Sequence, residues 1–446
     1  METFRIGCAA GFSGDRIDGV VPVVKTLIDT GGHALIFETL AERTLALAQL
    51  ARNNDPDAGY EPLLADMLRP CLADCMRHGI RIVSNFGQAN PPAAARRIRK
   101  LARELGIAEP RIAVLGGDRL DSRDQIAYLQ STLPEALDPD RIVCINAYQG
   151  ATEIADALRA GAEIVVAGRV ADPSLVVGPA LAHFGWAADD WQSLASATMA
   201  GHLLECGTQV TGGYFAVPGL KDVPDMDRLG FPIAEIDADG GIVIGKAADT
   251  GGRVDERTVK EQLLYEVHDP AAYLTPDVTA DISQVRVAGL GANRVRVEGV
   301  RGKPRPDMLK VNVFLRGGWL AEAEISYAGL QAEARARLAA DIVRRRLNGA
   351  LNLRVDLIGA VSIFADDAGR LLEQRAPGQA RDVRLRMAAA HGEKAVAERL
   401  LREMNALYTC GPAGGGGVRT SLKQRLNSVS AYIPRDLAPA NWSFLE

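Results

Sequence analysis

The chain has 446 residues, 47% of them hydrophobic and 24% charged, with a formal net charge of −5. That length supports two or three domains around a large core, and the balance is ordinary for a globular protein. No basic tract interleaved with aromatics and no apolar run of membrane-spanning length occurs, so nucleic acid and membrane are excluded as expected partners. Residues 1–6 lead straight into a strand-like segment without a signal or transit pattern, and six scattered cysteines form no disulfide framework. A reducing cytoplasm is the expected location.

Short apolar runs recur at residues 5–9, 34–37, 81–83, 111–115, 141–145 and 163–167. Amphipathic helical segments such as 91–105 and 151–160 separate them, which predicts right-handed βαβ units and a parallel, Rossmann-like sheet over residues 1–185. Cys71 and Cys75 lie one helical turn apart; without two further ligands at suitable spacing they read as core packing rather than a metal site.

Residues 186–290 read as a Gly-rich connecting insertion over the open end of that sheet. It holds a helix at 191–206, a hairpin-like piece at 234–246 turned by Asp239-Gly240, and a helical segment at 259–267. Residues 291–446 read as an α+β domain. Its strands fall at 294–300, 309–315 and 319–327, with Arg316-Gly317-Gly318 as a turn, and its main helices at 331–347 and 393–407. The run Cys410-Gly411-Pro412-Ala413-Gly414-Gly415-Gly416-Gly417 predicts a loop. The Arg-rich face of Arg335, Arg337, Arg344, Arg345 and Arg346 carries interleaved acids and no aromatics, so it reads as solvated or as a subunit contact; a homo-oligomer is expected.

In an open parallel sheet ligands bind beyond the carboxyl ends of the strands. Gly14 and Asp15 follow the first run, Glu38 the second, Asn85 the third and Gly117 with Asp118 the fourth. Asn146 and Tyr148 follow the fifth, and Arg169 with Asp172 the sixth. Ordinary turns favour the same residue types, but six such exits on one edge predict a polar ligand pocket. Gly11-Phe12-Ser13-Gly14 lacks dinucleotide spacing, and a phosphate loop and a Gly-x-Ser-x-Gly elbow are both absent, so no bound cofactor is expected. Arg169 suits a bidentate grip on a substrate carboxylate, and Asp172 could equally be its structural partner.

Thr198, His202, Glu205 and Gln209 share one face of the 191–206 helix. The stripe is either a solvent face or a functional one. It is short of Lys and Arg, and it runs into Thr211-Gly212-Gly213, whose consecutive N–H groups could form an anion nest. A Glu beside a His is a usable acid/base pair, since each shifts the other's pKa. Cys206 reads as a nucleophile or as inert packing. The His-Glu-x-x-His zinc pattern is missing, so no metal is expected. Thr250-Gly251-Gly252 repeats the turn, and Lys260 in the next helix is a candidate contact for phosphate or carboxylate.

The chain resembles the acyclic terpene utilisation (AtuA) family. The resemblance lies in Ser84-Asn85-Phe86-Gly87-Gln88-Ala89-Asn90-Pro91, Gly117-Asp118, Gly168-Arg169-Val170-Ala171-Asp172-Pro173 and His202-Leu203-Leu204-Glu205-Cys206-Gly207. It continues in Thr250-Gly251-Gly252, Val259-Lys260-Glu261-Gln262-Leu263-Leu264-Tyr265-Glu266 and Gly411-Pro412-Ala413-Gly414-Gly415-Gly416. Arg119 departs from the family pattern, in which an acid often follows Gly-Asp, and this weighs further against metal at Asp118. The resemblance implies catabolism of branched or terpenoid acids as CoA thioesters. It also implies a small ferredoxin-like domain or subunit that works with the chain and that the sequence given does not include.

The resulting expectation is a lyase or hydratase acting on a small carboxylic acid or its CoA thioester, with CoA present only as part of the substrate. Glu205 and His202 would move the proton, and Arg169 with the Thr-Gly-Gly turns would hold oxygen. The alternatives are a non-catalytic acyl-CoA-binding or assembly subunit and a thioester hydrolase using Cys206.

Overall fold

Strand β1 (Thr3–Cys8) buries its last three residues in a row, and β2 (Ala34–Phe37) is a continuous apolar run, a pattern that requires cover on both faces of a sheet. The computed structural model describes residues 2–133 and 137–446. In it β2 alternates as a strand must: Ala34 and Ile36 join one hydrophobic cluster, Leu35 and Phe37 the other. The chain divides into two units, residues 1–138, 142–314 and 428–446 forming one and residues 139–141 with 315–427 the other.

The first unit is built on a mixed ten-stranded sheet. The further strands of the whole chain begin with β3 (Arg81–Ser84), β4 (Ile112–Gly116), β5 (Ile142–Ala147), β6 (Ile164–Val166), β7 (Pro232–Asp237) and β8 (Ile242–Lys246). Then come β9 (Tyr273–Leu274), β10 (Thr279–Asp281), β11 (Arg286–Gly291), β12 (Arg294–Glu298) and β13 (Arg301–Lys303). Five more complete the set: β14 (Met308–Ala328), β15 (Arg354–Ile358), β16 (Asp382–His391), β17 (Gly416–Pro434) and β18 (Asn441–Phe444). The sheet order is β11-β12-β8-β7-β1-β2-β3-β6-β4-β18.

Its centre, β1-β2-β3-β6-β4, is parallel as the alternating pattern predicts. Two expectations are corrected. The order lacks the reversal about β1 of a Rossmann sheet, because the β7–β8 hairpin pairs antiparallel against β1 instead of covering the open end. β5, the fifth apolar run, leaves the sheet and pairs with β14.

Helices Val20–Thr30, Leu72–His78 and Pro91–Glu104 bury one face of the sheet, and helices Thr152–Arg159, Ser174–Phe184 and Trp191–Glu205 bury the other. β3 is followed by a helix on the first face and β6 by one on the second. In doubly covered sheets ligands bind in the crevice outside the carboxyl ends of such strands. Cys71 and Cys75 pack in the first cluster, Cys71 Sγ donating to the Leu68 carbonyl.

In the second unit, β15-β16-β14 are antiparallel, with helices Ala332–Leu347 and Lys394–Cys410 closing one core. The expected turn at Gly317-Gly318 is instead the middle of the 21-residue strand β14. A Cβ at Gly318 would lie 2.3 Å from the His391 carbonyl oxygen, so these glycines permit close strand approach rather than a reversal. Likewise the glycine run predicted as a loop passes into β17 at Gly416. The arginine face is taken up by ion pairs such as Arg337 with Glu333 and Arg344 with Asp341.

Candidate functional site

The helix Trp191–Glu205 starts at Asp190, whose side chain accepts the Ser193 N–H, and is buried from Ser193 onward. Small residues allow this depth: a Cβ on Gly201 would sit 2.7 Å from the Pro173 backbone, so the helix lies directly on the loop that follows β6. The polar stripe is thus not a solvent face; Thr198, His202 and Glu205 are all buried. His202 Nδ1 is 2.9 Å from Glu205 Oε1 and 3.4 Å from the Tyr273 hydroxyl, while Gln262 donates to the His202 carbonyl. His202 Nε2, Glu205 Oε2 and Thr198 Oγ1 have no hydrogen-bond partner among the described residues.

Burial raises the Glu205 pKa to about 7 against the opposing pull of His202, and Asp172 pushes it further up. Burial works against a charge on His202, but Glu205 outweighs it and the His202 pKa is raised. The position in the last helical turn also favours a cation. One proton is therefore shared within this pair near neutrality.

Beyond β6, Arg169 is 1% exposed. Its Nη1 donates to the Leu40 carbonyl at 2.5 Å, Nε to the Val170 carbonyl at 2.9 Å, and Nη2 to Val170 and Asp172. Its face rests 4.5 Å from the Tyr148 ring centre. Of the two readings left open for Arg169, the geometry supplies the Asp172 partner, and the guanidinium is turned inward.

Glu38, the first residue past β2, accepts from the Leu40 amide and Asn85 Nδ2 at 2.8 Å each, and Asn85 Oδ1 receives the Thr39 N–H. Burial first and Asp172 second raise the Glu38 pKa to about 8. Asp118 Oδ2 receives Asn146 Nδ2 at 2.9 Å and the Arg169 N–H at 3.0 Å. Tyr148 is fixed by Glu42 at 3.1 Å and by Asn312 at 2.9 Å, and Lys310 pairs with the same Glu42 oxygen.

Asn85, Asp118, Asn146, Tyr148, Arg169 and Asp172 thus form one network, and the charge on Asp172 links it to Glu205. Asp15 joins by a different route. It accepts the Gly11 N–H at 2.8 Å, and Gly11 abuts the Cys206–Gly207 backbone; Gly14 beside it is exposed with φ +93°. Glu42, Tyr273, Lys310 and Asn312 were not among the expected site residues. Glu38 had a signal in its place at the end of β2, whereas Tyr273, Lys310 and Asn312 come from distant segments with no local motif.

Other expected residues lie elsewhere or have other duties. Gly212 and Gly213 donate to Gln209 and Thr208, and Gly251 and Gly252 donate to Arg228 and Pro224. Neither Thr-Gly-Gly turn is an anion nest, because these amides are spent inside the fold. The turns pack on each other, Arg253 N–H to the Thr211 carbonyl at 2.8 Å. Thr211 is buried, Gln209 half-buried, and Thr250 bonds the Ala247 carbonyl. Gly117 holds Gln149 through its carbonyl. Lys260 is on the surface, paired with Glu256 at 3.1 Å. Burial pushes the Cys206 thiol well up, away from a reactive thiolate.

Among the described residues no group of three or more His, Cys, Asp or Glu side chains is placed to hold a metal ion, and no helix is long and apolar enough to cross a membrane. A family model described as acyclic terpene utilisation family protein AtuA matches residues 4–444. No curated protein and no solved structure matches the chain.

Proposed function

The chain belongs to the acyclic terpene utilisation family, and on that premise we propose that it is a catabolic lyase or hydratase. Its substrate is a small branched carboxylic acid or the CoA thioester of one. The observation that carries the reading is the buried His202–Glu205 pair, 2.9 Å apart, with a carboxyl that titrates near 7. A base poised there can take a proton from the carbon next to a carbonyl at neutral pH and return it. Glu205 is the proton carrier and His202 its positioning partner, fixing the carboxylate and balancing its charge. Arg169 acts indirectly by holding Asp172, while Lys310, 44% exposed beside Tyr148, is the cationic group available to a substrate oxygen.

The test is a thermal-shift screen of short branched acids and their CoA esters, followed by turnover of whichever binds. Glu205→Gln should keep the fold and the ligand shift but lose turnover; full activity in that variant would sink the assignment. A non-catalytic acyl-CoA-binding or assembly subunit, working with a small ferredoxin-like partner, is favoured by the inward turn of Arg169 and the spent glycine amides. Ligand binding without turnover in the wild-type chain would select it.

A further inference from the structure

The amino ends of β1, β2 and β3 border a cavity of about 330 Å³, at the opposite end of the parallel strands from Glu38 and Asn85. His33, His78, Arg81, Arg159 and His183 supply its polar lining, and Phe4, Ala34, Leu158, Pro179 and Ala182 its apolar lining. No Asp or Glu is among the residues that line it. We propose that this cavity binds a small organic monoanion, a carboxylate on a short hydrocarbon body.

Arg81, half-buried at the start of β3, has a guanidinium that makes no hydrogen bond or ion pair with the described residues. That group is always charged, and the lining holds no carboxylate to balance it, so it is open to an anion from solution. The second arginine is already engaged, since Arg159 donates to the Leu181 carbonyl at 2.8 Å and to Asp156 at 3.3 Å. His33 adds a donor of known sense. Its Nδ1 accepts the Arg5 N–H at 3.1 Å, which puts the ring proton on Nε2. Stacking on Phe4 and an edge contact with His183 hold that ring in place. Glu2, whose Oε1 lies 3.1 Å from His183 Nε2, stands outside the lining.

Charge therefore selects the ligand. An ammonium group would meet Arg81 and Arg159 with no acid in the lining to balance it, and an alcohol would leave the Arg81 charge uncompensated. A carboxylate can take the guanidinium fork with both oxygens. One unpaired guanidinium balances one negative charge, and the apolar half of the lining suits a hydrocarbon rather than an inorganic ion. The volume, at the lower end of small-molecule pockets, fits a body of a few carbons. This site does not rest on the proton-transfer reading, because it lies at the other end of the strands from the residues that reading uses.

The experiment is NMR of the histidine rings in the full chain, whose six histidines can be labelled selectively with carbon-13. The probes are butyrate, 1-butanol and inorganic phosphate at neutral pH. Butyrate should shift the His33 and His78 signals with one dissociation constant. 1-Butanol has the chain without the charge, and phosphate the charge without the chain. Each should bind at least about tenfold more weakly, the size of one charge-assisted hydrogen bond or of two buried methylenes. Arg81→Gln should weaken butyrate at these signals by at least about tenfold and keep the melting temperature, since the side chain it replaces has no partner among the described residues. Equal binding of the three probes, or butyrate binding unchanged in Arg81→Gln, overturns the proposal. His202 reports the other end of the strands separately. A butyrate response there with none at His33 and His78 overturns this site and leaves the role of Glu205 standing.

Discussion

His202 Nδ1 and Glu205 Oε1 hold one another at 2.9 Å across one turn of helix, both side chains nearly out of reach of solvent at 1% and 11% exposure. Hydrophobic neighbours would fill this space at lower cost, because each unsatisfied buried polar atom carries a penalty of about 1–3 kcal/mol. Among the described residues the pair leaves two such atoms, Nε2 and Oε2. That expense is the physical reason to place chemistry here.

The pH dependence of turnover should report this pair. Glu205 must be ionised to accept a proton, so the rate should rise with pH through about 7. His202 holds the Glu205 pKa down; in His202→Gln the rising limb should move to higher pH and the maximal rate should fall by roughly 10²-fold or more. A limb left in place by that substitution would show that another group titrates.

Stability should respond to pH through Glu38, whose pKa is about 8 in the folded chain against an ordinary 4.5. A carboxyl raised on folding favours the protonated folded state. Its stabilising contribution is complete below about 4.5 and is lost as pH climbs through 8. The unfolding free energy should therefore decline between these limits. Glu38→Gln should flatten the slope by up to about 1.4 kcal/mol per pH unit, which urea titrations at several pH values would measure.

Arg169→Lys should be strongly destabilising despite conserving charge. One ammonium cannot replace a planar fork that serves Leu40, Val170 and Asp172 together. Uncompensated burial beside Glu38 and Asp172 should cost on the order of 3–5 kcal/mol. Chemical denaturation would detect it; a loss below about 1 kcal/mol would mean the network is not what holds the crevice.

Gly11→Ala should disturb the site from the far side. Its Cβ would fall 2.5 Å from backbone atoms of Cys206 and Gly207, which cannot move aside as a side chain can. A cost of about 1–3 kcal/mol and reduced turnover are expected, whereas Gly14→Ala, in open space beside only the Phe12 ring, should cost less despite its positive φ. Comparing the melting temperatures and rates of the two variants tests this.

Cys206→Ala should keep most of the activity, because burial holds the thiol protonated. Retained turnover would exclude the thioester-hydrolase reading, and its loss would restore it.

Much of this was legible locally. The five parallel strands and the helix Trp191–Glu205 follow from apolar runs and helical periodicity, which depend on neighbours in sequence. The site residues at the ends of β3, β4 and β6 follow from the rule that parallel strands offer their carboxyl ends to ligands. β5 misled because an apolar run specifies burial, not which sheet provides it; its partner, β14, lies about 160 residues away in sequence. Gly317-Gly318 misled because glycine marks both turns and close strand contacts, and only the His391 carbonyl distinguishes the two.

By itself, then, the sequence determined the elements, the family likeness and the pairing of His202 with Glu205, all written within a few residues of one another or in ordered motifs. Only the tertiary structure decided that the His-Glu stripe is buried, that Arg169 spends its donors on Asp172 and two carbonyls, and that the Thr-Gly-Gly amides are already taken. It also brought Lys310, Asn312 and Tyr273 to the crevice. The reason is that hydrogen-bond capacity belongs to a residue, while its spending depends on partners that folding brings from far along the chain.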